Sequence, residues 1–254
     1  MNKFRRILTL SSGILTLLAL HAYAGAGAAG GAAPGAGRGG GGRDYTPDHP
    51  RTLEPYFTQA TSSPKAPDAD GFLQRWLLLE PINKPNRSNT VFTDSYLRNA
   101  FGTEYFPNQL TVIPREGDKV TVGDQELAWH ALDSSLFNVK LFRFADGLNK
   151  PVYGVLFWAV TVINSPREIQ GVRMAVGSNS GSMWWLNGKE AVILSSDRRM
   201  VMDDCVSKRL TLKQGRNVIR GAVINGPGMS DFCVRFIDEN GAPVKDLTIN
   251  LVSD

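Results

Sequence analysis

Histidine and cysteine are scarce in this chain of 254 residues, with three of the first and two of the second. The histidines are His21, His49 and His130, and no H-x-x-H or H-E-x-x-H pairing occurs. A typical zinc site therefore has no ligand set, and no metal or other cofactor is expected. Basic blocks are also missing, so a nucleic-acid surface has no electrostatic support. No apolar run downstream of residue 24 approaches the length of a membrane-spanning helix. The longest, Val152 to Ile163, has twelve residues, against about 20 for a span. A carbohydrate-cleaving pair of acids cannot be picked out by spacing along the chain.

The first 24 residues have a composition of their own. Lys3, Arg5 and Arg6 precede an apolar run from Ile7 to Leu20, and Ala22-Tyr23-Ala24 forms a small-x-small site. This pattern is that of a secretory signal peptide, residues 1–24, and implies a secreted or periplasmic location. The chain carries 28 basic and 24 acidic residues. Three of the basic ones fall in that segment, so the remainder is nearly neutral. Residues 25–70 are Gly/Ala-rich, then Pro-rich, and read as a flexible linker. Within it the Leu53, Tyr56 and Phe57 cluster is the one part suited to docking on a domain. Cys205 and Cys233 are an even pair in an exported chain, which makes them a disulfide candidate or two unpaired small hydrophobes.

Residues 71–254 read as one domain. Short apolar runs at 72–79, 119–122, 125–129, 172–177, 183–186, 190–194, 206–212, 217–224, 232–237 and 247–251 are divided by Gly-containing turns. Such spacing predicts an all-β, antiparallel sandwich. Val152 to Ile163 is rich in β-branched and aromatic residues and predicts a strand buried on both faces. Asn138 to Phe144 alternates and predicts a half-buried strand. One short helix is expected over 95–101, capped by Asp94 and closed by Gly102. The stretch VGSNSGSMWWLNGKE, 176–190, carries the sharpest local signal. Asn187-Gly188 between apolar runs predicts a tight hairpin. Trp184 and Trp185 are neighbours on its first strand, so they face opposite ways.

Three segments carry a resemblance: SNSGSMWWLNGKEA at 178–191, LTLKQGRNVIRGAVINGPG at 210–228, and FCVRFIDENGAPVKDLTINL at 232–251. Their order resembles the galactose-binding-like, jelly-roll β-sandwich modules of secreted bacterial carbohydrate-active proteins, and the similar PA14-type domains. The whole region from Gly71 is also similar to small secreted bacterial proteins often labelled acetylxylan esterases. The resemblance implies a jelly-roll sandwich and a plant-polysaccharide setting. PA14-type loops often bind calcium through paired acids. Here Asn179 and Ser180 stand at the matching positions, which leaves calcium unsupported.

Two functions follow as expectations. An esterase needs a base, and His130 is the one candidate in the domain. Ser178 or Ser180 would be the nucleophile and Asp203 or Asp204 the orienter. The loop 177–181, GSNSG, places Asn179 where a nucleophile elbow needs serine. Sugar binding asks for less: an aromatic platform and a few polar groups. Trp184 or Trp185 with Asn187, Arg198, Asp203 and Asn225 would supply it if one indole were exposed. Both indoles buried, one in each face of a covered sheet, is the other reading. The expected protein is a non-catalytic module binding a polysaccharide or oligosaccharide such as xylan. The alternatives are an acetylxylan esterase and a structural module docking onto a glycan-degrading enzyme.

Overall fold

The most apolar stretch becomes the strand on which the fold is built. In a computed structural model the chain divides into two units, residues 1–44 and 45–254. The structure describes residues 47–251, all in the second unit. The signal-peptide expectation and the Gly/Ala-rich part of the linker lie outside the described residues.

In chain order the strands are β1 (Phe57–Gln59), β2 (Arg75–Leu79), β3 (Ile82–Asn83), β4 (Lys119–Val122), β5 (Gln125–Ser134), β6 (Val139–Lys140), β7 (Val155–Ser165) and β8 (Ile169–Ser178). They continue with β9 (Gly181–Leu186), β10 (Lys189–Leu194), β11 (Cys205–Val206), β12 (Leu210–Leu212), β13 (Gly215–Asn225), β14 (Asp231–Ile237) and β15 (Thr248–Ile249). Two helices join them, α1 (Asp94–Gly102) and α2 (Leu141–Gly147). The larger sheet runs β1-β5-β2-β7-β13-β9-β10, with β3 and β15 also on β7 and β4 on β5. The smaller runs β11-β8-β14-β6, with β12 on β8. Every pairing is antiparallel. The fold is an all-β sandwich.

β7 sits between β2 and β13 and is buried along nearly its whole length. That is why its sequence is apolar on both faces rather than alternating. One face meets the smaller sheet. There Trp76 and Trp184 pack edge to face at 5.9 Å, and both pack on Phe232. The opposite face lies under α1 and the loop that follows it. Phe101 and Phe106 pack edge to face on Trp158, and Trp185 stacks on Trp158 at 5.8 Å. Each buried indole removes on the order of 200 Å² from water, worth roughly 5 kcal/mol in transfer terms. The adjacent tryptophans thus serve two cores. Trp184 fits because Gly221 lies across from it on β13, where a Cβ would meet the ring at 2.3 Å.

Arg220, in register with Trp185, is 3% exposed beneath the carbonyl of Val112, which it contacts at 2.5 Å. Burial pulls its guanidinium down to about 10.

The Asn187-Gly188 hairpin forms as expected, with φ of 50° and 77° at its two central residues. Three expectations are corrected. First, Asn138 to Phe144 is not a strand throughout: after two residues of β6 it becomes α2. Leu141 and Phe142 break the alternation, and Leu141, Phe142, Phe144 and Ala145 form one buried helical face. Second, part of the expected linker is built into the domain. β1 pairs with β5, Phe57 is buried against Phe144, and Lys65 bridges to Ile249. The docked portion extends well beyond the Leu53, Tyr56 and Phe57 cluster. Third, the cap of α1 is Thr93, whose hydroxyl accepts from the Tyr96 N–H at 3.2 Å, one residue earlier than expected.

Candidate functional site

At the end of the sandwich away from the Asn187 hairpin, four loops enclose a cleft of about 510 Å³. They contribute Arg87, Ser88 and Asn89; Asn179; Asp197 to Met200; and Pro227 to Met229. The first loop precedes α1, the second joins β8 to β9, the third follows β10, and the fourth joins β13 to β14. All four leave strands at the same end, because antiparallel register places Asn225 opposite Val155 and Ile224 opposite Gly181.

A set of asparagines ties the loops together. Asn225 is fully buried beneath the cleft. Its Nδ2 donates to the carbonyls of Gly228 at 2.9 Å and Val152 at 3.2 Å, and its Oδ1 accepts from the Ser180 hydroxyl at 2.9 Å. Asn89 Nδ2 donates to Asp197 Oδ1 at 3.0 Å and to the Pro227 carbonyl at 3.2 Å, and its Oδ1 accepts from the Gly226 N–H at 3.0 Å. Asn179 Oδ1 accepts from the Asp231 N–H at 2.6 Å. A backbone N–H can only donate, so that bond fixes which end of the Asn179 amide is oxygen. Beneath it Asp231 is 3% exposed. Burial pushes its carboxyl above the usual range, opposed by the Lys140 ammonium at 2.6 Å.

The expected ligand residues do not form one site. Arg198 lines the cleft, holding the Ser195 carbonyl at 2.9 Å while pairing with Asp204. Asn225 supports the cleft from below. Trp184 is 0% exposed and Trp185 9%, so neither is a platform and the both-buried reading holds. Asn187 is at the far end of β9, about 20 Å away for a strand of that length. Its Nδ2 donates to Asn217 Oδ1 at 2.9 Å and its Oδ1 accepts from the Val218 N–H at 2.8 Å. Asp203 is bound to Arg235, which also lies over the Phe72 ring at 4.8 Å. The adjacent acids 203 and 204 thus each hold a different arginine.

The disulfide is corrected by register. Cys205 faces Val176 and Cys233 faces Gly177, on opposite sides of β8. Two strand spacings put them about 10 Å apart, beyond the reach of a disulfide. Both thiols are free, and burial pushes that of Cys233 up to about 12. His130 has no serine hydrogen-bond partner among the described residues. Its Nε2 is 3.5 Å from Glu80 Oε1, and its ring packs edge to face on Phe144. Ser178 donates to the Ser180 carbonyl at 2.8 Å, and Ser180 to Asn225. The two serines close the 178–180 turn and the expected triad is not assembled. Among the described residues no group of three His, Cys, Asp or Glu is placed to hold a metal. No described helix is long and apolar enough to cross a membrane.

Sequence reasoning missed Arg87, Asn89 and Asp197 as site residues. Their one signal was a polar composition in loops. No protein-family model matches the chain, and no curated protein matches it. Among solved structures it is similar to a PA14 sugar-binding domain from an RTX adhesin (10% identity, 68% of this chain and 95% of that one, TM-score 0.40). It is also similar to the PA14 domain of the MpAFP antifreeze protein (11% identity, 74% and 92%, TM-score 0.37). A third similarity is to a β-glucosidase from Kluyveromyces marxianus (18% identity, 67% of this chain but 15% of that one, TM-score 0.31). The first two bear the PA14 name rather than the galactose-binding-like one.

Proposed function

We propose that the chain is an exported, non-catalytic carbohydrate-binding module, and that the cleft at the four-loop end holds the saccharide. Residues 1–24 direct export and the Gly/Ala-rich residues 25–42 tether the domain. The target setting is plant polysaccharide of the xylan or pectin kind. The observation that carries this reading is the cleft's unused hydrogen-bonding capacity on a fixed frame. Asn179 Nδ2 and Asp197 Oδ2 have no protein partner among the described residues. The amide nitrogen offers N–H donors and the carboxylate oxygen an acceptor, the two roles that sugar hydroxyls can meet. Met200 and Met229 line the same cleft, and Met229 is 44% exposed. Their thioethers supply an adaptable apolar surface for the C–H face of a pyranose. A volume of about 510 Å³ lies within the range of small-ligand sites. Affinity electrophoresis through gels containing xylan, polygalacturonate or dextran tests the reading. At least one glycan is expected to retard the folded protein, and migration unchanged in all of them rejects it.

A further inference from the structure

The saccharide reading leaves the charge of the cleft unused. Four of its side chains are ionised: Arg87, Arg198 and Arg199 against Asp197. Arg198 is neutralised from outside the cleft by Asp204. Arg87 and Arg199 are exposed, and neither has an acidic partner among the described residues. Elsewhere on this domain exposed arginines are commonly paired: Arg98 with Glu190, Arg167 with Asp246, and Arg209 with Glu239. Two unpaired guanidinium groups in one concave site set up a positive local field. The one acid present turns an oxygen toward Asn89.

We propose that the cleft selects an acidic saccharide, with Arg87 and Arg199 receiving an oxyanion borne by the sugar ring. This rests on the saccharide reading and specifies its ligand class. A guanidinium presents paired N–H donors in a plane, a geometry that matches a carboxylate or a sulfate ester. Asn179 Nδ2 adds a neutral donor in the same cleft, and Asp197 Oδ2 an acceptor for a hydroxyl. Neutral xylan meets only the second half of this set. A uronate-containing glycan meets all of it. Both arginines are solvent-exposed, so their contribution is screened by salt. Their removal does not touch the asparagine frame that holds the loops.

Isothermal titration of the folded protein tests this with oligogalacturonate, its methyl-esterified form, dextran sulfate and neutral dextran. Methyl esterification removes the charge and keeps the sugar. The acid is expected to bind about tenfold or more tightly than the ester, the scale of one charge-assisted hydrogen bond. The Arg87→Gln/Arg199→Gln variant is expected to bind acid and ester alike. Tighter binding of dextran sulfate than of oligogalacturonate, lost in the same variant, assigns the oxyanion to a sulfate ester and still supports an acidic ligand. Equal binding of acid and ester by the unaltered protein, with the variant unchanged, overturns the acid selectivity and leaves the saccharide reading standing. Binding of none of the four probes, with no glycan retarding the protein in gels, overturns both.

Discussion

The two ends of β9 make an instructive pair. Each carries an asparagine beside a turn, Asn187 at one end and Asn179 at the other. At the hairpin end both atoms of the side-chain amide are used: Nδ2 on Asn217 and Oδ1 on Val218. Asn217 in turn holds the Lys213 carbonyl at 2.8 Å and the Gly215 carbonyl at 3.0 Å. At the loop end only Oδ1 of Asn179 is used, on Asp231. The same residue type therefore closes a structure at one end and, among the described residues, leaves a donor without a protein partner at the other. What distinguishes the two is whether the polar groups are satisfied by the protein itself.

The largest expected effect tests the strand between the ends. Trp184→Ala leaves a large void between the two sheets and is expected to cost about 3–5 kcal/mol, read from urea unfolding. Glycan binding by the molecules that stay folded should be unchanged, because the indole is inside the core. A folded Trp184→Ala protein that loses its glycan would place the sugar on the tryptophan and break the comparison.

A double dissociation sharpens it. Asn187→Ala removes two hydrogen bonds and puts alanine at a φ of 50°, for a loss of about 2–3 kcal/mol. It leaves glycan affinity unchanged. Asn179→Ala loses a single bond to Asp231, about 1 kcal/mol, but weakens glycan binding about tenfold by removing the free donor. Matched urea and titration measurements on the two variants check this. If both variants lose stability alone, the loop end is as closed as the hairpin.

The parts legible in the sequence were those written locally. Asn187-Gly188 specifies its own turn, and Val155 to Ser165 announces a doubly covered strand through composition. The opposite facing of Trp184 and Trp185 follows from pleating, although which faces are covered does not. α2 was masked because its first residues also fit an alternation of two. β1 was masked by the prolines around it, since three residues of strand give too little pattern. The cleft was illegible for a different reason. Residues 87–89, 179, 197–200 and 227–229 are brought together by register alone, and a loop arginine in a site looks like any other. The failed cysteine pairing has the same origin: nothing local reveals that β8 runs between them.

The smallest expected effect concerns pH, and it belongs to the loop end. Asp231, whose backbone Asn179 grips, has a folded-state carboxyl pKa raised by burial and only partly restored by Lys140. A raised folded-state value means the native protein holds that proton more tightly than the unfolded chain. The contribution to stability is fully present below the ordinary carboxylate range and is lost as pH rises through the folded value. Asp231→Asn keeps the shape and removes the titration. The difference in urea midpoint, unaltered protein minus variant, should therefore grow in favour of the unaltered protein as pH falls through the acid range. A difference that stays flat, or shrinks with acid, would show that Lys140 holds the carboxylate charged after all. In that case the floor beneath Asn179 would be a stabilising ion pair, and the loop end would resemble the hairpin end in satisfying its own polar groups.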